Sequence, residues 1–174
     1  IVAIPGTISF PSLLEGIERR ARWRRVEHLV PTLAALRAFC VQHDIFDVQG
    51  DTLRDTQPID WRSSLGASDK GLVEVLLDAP GHVLDRNALM RECCEVRGMN
   101  ASTAGVYSTF SPFLERLGMN LWSIRGIDPD PIVVEEIRNK ARRRPRRRHV
   151  LGWGWADNGG LYIDNQVRST VGEV

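Results

Sequence analysis

The sequence predicts a mainly α protein with small β-hairpins, which places it in the α+β class. Six segments carry apolar residues at helical spacing, with proline, glycine or a capping residue at their ends. Three further stretches, 45–54, 113–126 and 150–164, place apolar residues on both sides of a glycine-containing turn. Helices and hairpins therefore alternate along the chain.

The first sixty residues are predicted to hold two helices and one hairpin. Residues 4–12 are extended, and Pro11 opens a helix whose apolar face is Leu13, Leu14, Ile17 and Ala21. Thr32 is placed to cap the second helix, with an apolar stripe at Leu33, Leu36, Phe39 and Cys40. The hairpin follows, with its turn at residues 49–51.

The middle of the chain is predicted to contain three helices followed by a second hairpin. Residues 55–67 form a connector that Trp61 anchors, and Ser68 and Asp69 are predicted to cap the helix that follows. Asp85 caps a helix over 86–97, and Gly98 ends it in a left-handed conformation. The third helix covers 101–109. The predicted shared core is Leu76, Leu89, Val106, Phe110, Leu117 and Trp122.

The last third is predicted to hold a helix, an arginine-rich linker and a β-hairpin. The helix covers 132–140, with Ile132, Val133 and Ile137 facing inward. The hairpin turns at 157–160, where Asp-Asn-Gly-Gly is typical of a tight turn. We therefore expect four segments, 1–60, 68–126, 127–149 and 150–174. The last is expected to be the truncated start of a β-rich unit in a larger protein.

Residues 68–126 resemble a bacterial winged helix-turn-helix domain, including those similar to region four of sigma factors. The resemblance lies in the Leu-Asp-Arg-Asn-Ala-Leu run from Leu84, the Arg-Gly-Met-Asn turn from Arg97, and the Ser-Pro-Phe-Leu-Glu-Arg-Leu-Gly run from Ser111. It implies that 101–110 is a recognition helix and that a wing follows it. Residues 32–53 hold a similar helix and hairpin. Two winged helices in tandem and an accidental likeness both remain open.

Two arginine clusters interrupt an acidic chain. Five arginines lie between Arg19 and Arg25, and eight of the eleven residues from Arg138 to Arg148 are basic. The remaining fifteen basic residues are outnumbered by twenty-two acids, although the net charge is only +1. The second cluster predicts polyanion binding through guanidinium groups. The alternative is a solvated linker that neutralises the acidic body. The first cluster is interpreted as a solvated helix face.

The predicted function is nucleic-acid binding, with DNA preferred over RNA, in a regulatory module of a larger protein. The alternative is a winged-helix scaffold for protein partners in a regulatory or defence-type protein, because residues 101–110 contain no basic side chain. A continuous positive face around that helix would favour nucleic acid, and an apolar face a protein partner. The candidate contacts are Arg97, Asn100, Ser102, Thr103, Tyr107, Arg116, Arg125, Arg142, Arg143, Arg144, Arg146, Arg147 and Arg148.

Other classes of function find little support in the sequence. No nucleotide-binding loop, hydrolase or metalloprotease motif is present, so we expect neither an enzyme nor a cofactor. Three cysteines and four scattered histidines predict no metal site and a reducing, cytoplasmic location. No apolar run is long enough to cross a membrane. Trp153 and Trp155 share a face of the last hairpin, and we favour a core role for them over base stacking.

Overall fold

The computed structural model describes residues 1–57, 59–118 and 120–143, with the backbone alone for 141–143, and the backbone of 154–155, 161–163 and 166–168. Residues 1–138 form one compact unit and residues 139–174 a second. Helices alternate with small antiparallel sheets of three strands each. The predicted α+β class is confirmed.

The N-terminal repeat, residues 7–55, is one sheet with two helices. Its elements are β1 (Thr7–Ser9), α1 (Phe10–Arg24), α2 (Leu33–Gln42), β2 (Phe46–Gln49) and β3 (Thr52–Asp55). A short 3-10 turn, Glu27–Leu29, separates the helices. The strands pair in the order β1–β3–β2, so the predicted hairpin gains a third strand from the extended segment before α1. Thr32 caps α2 as predicted, accepting the Ala35 amide at 3.2 Å.

The central repeat, residues 67–124, follows a short helix α3 (Trp61–Ser64). Its elements are α4 (Ala67–Asp78), β4 (Val83–Asp85), α5 (Arg86–Arg91), a π turn (Glu92–Val96), α6 (Ala101–Phe110), β5 (Leu114–Arg116) and β6 (Leu121–Ile124). Its strands pair in the order β4–β6–β5. Trp61 packs against the core of this repeat, which confirms its predicted anchoring role.

The two repeats match in hydrogen bonding as well as in order. Ser9 ends β1 and caps α1 through the Ser12 amide at 3.3 Å, and Asp85 ends β4 and caps α5 through the Ala88 amide at 2.9 Å. The amide that follows the cap also has an equivalent partner in each repeat. The Phe10 amide donates to the Asp51 carbonyl at 3.0 Å, and the Arg86 amide donates to the Asn120 carbonyl at 2.9 Å. Both acceptors directly precede the third strand of their sheet. The same strand–helix–helix–hairpin unit therefore occurs twice.

The main difference between the repeats is α4, which precedes only the central one within the described residues. Its apolar face joins the largest core of the chain, with Leu72, Val73, Val75 and Leu76 buried. Leu89 and Trp122 lie in the same core, as predicted. The smaller core of the N-terminal repeat is built around Ile8, Phe10, Leu13, Leu36 and Leu53.

Several inward residues were predicted wrongly. Val106 is 41% exposed, because α6 turns Ala104 and Ser108 towards the core instead. Phe110 is only half-buried, and Leu117 packs in a separate cluster with Val83, Leu121 and Val134. A small residue suits the inward face of α6 because that helix lies close against α4.

Two helix ends also differ from prediction. The α-helix predicted over 86–97 stops at Arg91 and finishes as the π turn before Gly98, whose φ is +66° as expected. Neither Ser68 nor Asp69 caps α4, whose N-cap is Gly66. The Asp69 carboxylate is buried and takes part in the contact between repeats.

The last described helix, α7 (Pro131–Arg143), covers one end of the second sheet. Val134 is buried there. Val133 and Ile137, which were predicted to face inward, are partly buried. Ile132 was predicted inward but is 69% exposed. In the second unit β7 (Gly154–Trp155) pairs with β8 (Leu161–Ile163), as predicted, and β8 pairs with an unpredicted β9 (Gln166–Arg168). The predicted turn at 157–160, Trp153 and the Trp155 side chain lie outside the described residues.

Candidate nucleic-acid interface

Helix α6, the predicted recognition helix, presents an uncharged outer face. Asn100 caps it, its side-chain oxygen accepting the Ser102 amide at 2.9 Å and the Ser102 hydroxyl at 2.6 Å. Ser102, Val106 and Thr109 are exposed along the helix, and Thr103 is half-buried. This face can offer hydroxyl groups to phosphates, but it has no side chain of the kind that reads guanine or adenine in two hydrogen bonds.

Arg97 is exposed in part but already paired. Its guanidinium donates to Glu74 at 2.7 Å and to Asp78 at 2.8 Å, and both acids lie on α4. Two carboxylates outweigh its single positive charge. Arg97 therefore ties the turn before α6 to α4 and adds no positive potential beside the recognition helix.

Arg125 does not lie at the surface, which makes the prediction of a phosphate contact there wrong. Its side chain is 1% exposed and donates to the carbonyls of Pro112 at 3.0 Å, Leu114 at 2.9 Å and Ser12 at 3.1 Å. It also donates to the Glu15 carboxylate at 2.9 Å. That hydrogen bond lowers the pKa of Glu15. Because Ser12 and Glu15 belong to α1, Arg125 joins the two repeats.

Arg116, at the end of β5, remains available. It is exposed, its guanidinium carbon lies 5.5 Å from the centroid of Trp122, and it donates to the Asn120 side chain at 3.2 Å. Arg142 and Arg143 end α7, but only their backbone is described. Arg144, Arg146, Arg147 and Arg148 lie outside the described residues.

Two basic side chains of the first arginine cluster reach α6 through a tryptophan. The Trp23 ring meets Tyr107 of α6 edge to face, with ring centroids 4.8 Å apart. The guanidinium carbons of Arg20 and Arg24 lie 4.8 and 5.8 Å from the centroid of the same Trp23 ring. Arg22 and Arg24 are exposed at this end of α1. We call the group of residues 20, 23, 24 and 107 the Trp23 cluster, and Arg22 is exposed on the same turn of α1.

Sequence patterns offered little warning of this placement. The sequence favours a solvated face for the first arginine cluster because leucine and isoleucine occupy the opposite face of the helix. Arg19 instead is partly buried and donates to the Leu114 carbonyl, and burial lowers its pKa. An aromatic residue inside an arginine run was the one available signal, since guanidinium groups stack readily on a tryptophan ring such as that of Trp23.

A buried acid fixes the orientation of α1 across the central repeat. Asp69 accepts a hydrogen bond from the Ser111 hydroxyl at 2.7 Å, and an Arg20 nitrogen lies 3.8 Å from its other oxygen. Burial raises the pKa of Asp69. Together with Arg125 this contact holds the end of α1 beside α6.

Comparison with family models, curated proteins and solved structures found no match for this chain. In the part of the chain that is described, no helix has the length and apolar character needed to cross a membrane. The same residues contain no group of three or more potential metal ligands.

Proposed function

We propose that this chain is a nucleic-acid-binding module of two winged-helix repeats in a larger regulatory protein, holding duplex DNA mainly through its phosphates. The observation that carries the proposal is the Trp23 cluster, which lies directly against α6. Arginines stacked on an aromatic ring next to an exposed helix supply cations where a docked backbone would run. RNA is the second polyanion that this surface suits.

The topology supports the winged-helix part of the proposal. Each repeat has a strand that leads into two helices and a hairpin whose last strand lies in the middle of the sheet. In winged-helix proteins the second helix of the pair enters the major groove and the wing contacts the backbone. In the central repeat these roles would fall to α6 and to the β5–β6 hairpin, where Arg116 is exposed.

The residue types on α6 favour binding of low sequence specificity. Ser102 and Thr109 can bond phosphates, and Val106 can contact a thymine methyl group. Strong base discrimination needs bidentate partners, which α6 lacks. Affinity would therefore come from phosphate contacts and fall steeply with salt.

A mobility-shift titration at two salt concentrations tests the proposal. The variant Arg22→Gln/Arg24→Gln should weaken binding to all duplex sequences alike, and the slope of log affinity against log salt should shrink by about 0.9 for each phosphate that the protein no longer neutralises. The matched control is Arg54→Gln/Arg62→Gln, which removes two exposed arginines elsewhere in the compact unit. An equal decrease in affinity for both variants would contradict the proposed surface.

The second arginine cluster is tested separately. Replacing the six arginines of residues 142–148 with glutamine should reduce affinity and salt slope, while stability barely changes because exposed charges contribute little to it. If the run only neutralises the acidic body, the variant should instead lose solubility or stability at unchanged affinity. No binding by the wild type at about 50 mM salt would count against the whole proposal, because low salt maximises this attraction.

The alternative is a protein-interaction scaffold, and α2 supplies the observation in its favour. This helix corresponds to α6 in the N-terminal repeat, yet it exposes Leu33, Phe39 and Val41. Apolar side chains grouped on one exposed helix are typical of protein-binding surfaces. Paired Arg97 and buried Arg125 also remove two cations from the predicted positive face. A wild type that fails to bind nucleic acid at low salt would favour this alternative.

A further inference from the structure

An apolar groove of about 410 Å³ lies beside α1, where Ile1 and Pro112 also contribute to its wall. Its floor is formed by Ile17 and Ala21 of α1 and by the segment that follows, where Val26, Leu29 and Val30 contribute. Leu29, at its edge, is 69% exposed. A groove of this size and composition is large enough to take apolar side chains out of water.

The charges of the groove are of one sign. Among the described residues that line it, Arg20 and Arg24 carry the charged side chains, and none is acidic. An occupant that covers the groove has to be apolar in the middle and negative at its rim, because charges across an interface are arranged to complement each other. A nucleic-acid backbone supplies the negative charge but not the apolar centre.

The chain itself presents this chemistry at the start of α7. Ile132 is 69% exposed there, and Glu135 and Glu136 are exposed on the same side of the helix at spacings of three and four residues. The Glu135 carboxylate also lies 3.8 Å from the Arg138 guanidinium. Asp130 caps the helix, accepting the Ile132 amide at 2.8 Å. We call this surface the acidic face of α7.

The fold presents the acidic face in a fixed orientation. Val134 is buried against Val83 and Leu121, so the opposite side of α7 is anchored to the second sheet. The Asp130 amide is also tied to the Gly81 carbonyl at 3.1 Å. None of the described α7 residues lines the groove of the same chain, so groove and acidic face can meet only between chains.

We infer that a second copy of this chain docks the acidic face of its α7 into the α1 groove. Ile132 then enters the apolar floor, and Glu135 and Glu136 approach Arg24, since Arg20 already faces Asp69. The two faces differ, so the contact is head-to-tail, and each pair keeps one unused groove and one unused acidic face. The inference does not depend on nucleic-acid binding, and a docked second copy and a bound phosphate would compete for Arg24.

Sedimentation equilibrium of the full chain over a range of concentrations tests this inference. The wild type should associate, and Ile132→Asp and Arg24→Glu should each shift it towards the monomer. The matched controls are Ile59→Asp and Arg62→Glu, which change an exposed isoleucine and an exposed arginine outside both faces and should associate like the wild type. Circular dichroism confirms that each variant is folded.

A mixing experiment distinguishes the head-to-tail contact from any other. Arg24→Glu keeps an intact acidic face, and Glu135→Arg/Glu136→Arg keeps an intact groove. Neither should associate alone, because each variant pairs two surfaces of like charge. An equimolar mixture should associate, because the acidic face of Arg24→Glu fits the intact groove of the other variant and the two reversed surfaces also complement each other. A wild type that stays monomeric, variants that associate normally, or a mixture that stays monomeric would each overturn the inference.

Discussion

The N-terminal and central repeats share a strand order, a pair of helix caps and a hairpin hydrogen bond, yet they are stabilised differently. The central repeat has α4 to cover α6 and the sheet, and its core holds Leu72, Leu76, Leu89 and Trp122. The N-terminal repeat lacks that helix among the described residues, and α2 remains largely exposed. The same topology thus yields one repeat with a large core of its own and one that depends on contacts with the other repeat for its stability.

The contact between the repeats explains how the smaller one is held. Helix α1 is longer than its counterpart α5, and its added turns reach Leu114, Tyr107 and Asp69 of the central repeat. The groups that satisfy Arg125 come from both repeats. Residues that would be free for a ligand in an isolated repeat are therefore used to join the two.

Alanine substitutions at equivalent core positions of the two repeats should lower the free energy of unfolding by different amounts. Trp122 pairs with Leu84 as Leu53 pairs with Ile8, so both occupy the middle of the third strand. Trp122→Ala should lower the free energy of unfolding by about 3–5 kcal/mol, because it removes a large buried ring. It also removes the donor that bonds the Ser108 carbonyl at 3.0 Å. Leu53→Ala should cost less in urea denaturation, and an equal or greater decrease in stability would contradict the difference in core size.

Removing the Arg125 contacts between the repeats should allow the two repeats to unfold separately. Arg125→Met leaves the Pro112 carbonyl without its arginine donor, while the Leu114 carbonyl keeps Arg19, and the change should cost about 1–3 kcal/mol. Hydrogen exchange reports on β3 and β6 separately, and β3 should lose protection first. Glu15→Gln is the control: its side chain is 55% exposed, so it should cost much less. Equal loss of protection in both strands would mean that the repeats do not unfold independently.

Alanine substitutions at two helical glycines should change the stability by similar or smaller amounts and in opposite directions. A Cβ at Gly16 would lie 2.8 Å from the Pro112 carbonyl oxygen, so Gly16→Ala should force α1 away from the central repeat at a cost of about 1–3 kcal/mol. A Cβ at Gly105 on α6 would meet no atom within 4 Å. Gly105→Ala should stabilise by about 0.4–1 kcal/mol through the unfolded state. Thermal melts of the two variants should shift in opposite directions, and a shared sign would contradict the close approach at Gly16.

The smallest expected effect is a pH dependence at Asp69. Burial raises its pKa in the folded state, so the folded protein binds more protons between the unfolded and folded pKa values. Stability should therefore fall as the pH rises through that window, which begins near pH 4. The Asp69→Asn variant should not show this decrease in stability, because its side chain does not titrate. Its amide oxygen can still accept the hydrogen bond from the Ser111 hydroxyl. Urea midpoints of wild type and variant should diverge with rising pH, and parallel curves would contradict the assignment.

Local signals in the sequence were sufficient for most of the elements, but not for α3, β9 or the end of α5. Thr32 and Asp85 cap helices because a side-chain oxygen next to a free amide needs no distant partner. Gly98 and the hairpin glycines adopt positive φ where the chain reverses. On α6 the sequence predicted only part of the exposed face, because Ser102 is exposed but Thr103 and Tyr107 are half-buried and Val106, predicted inward, is 41% exposed.

The roles of polar and charged residues depended on the tertiary structure. Arg125 was predicted to face solvent, but the carbonyls that satisfy it come from residues up to 113 positions away. Asp69 was predicted as a cap, yet its partners Ser111 and Arg20 belong to other helices and loops. No local pattern reveals a partner so distant in the chain.

The sequence by itself therefore determined which segments form helices and hairpins, where most of their caps lie and that arginine is concentrated in two clusters. Only the tertiary structure decided which arginines are buried, which are paired and which remain exposed beside α6. The physical reason is the distance along the chain over which each interaction acts. Caps, turns and apolar periodicity act within one turn of helix or one strand pair. The burial of a charge depends on every element that packs around it.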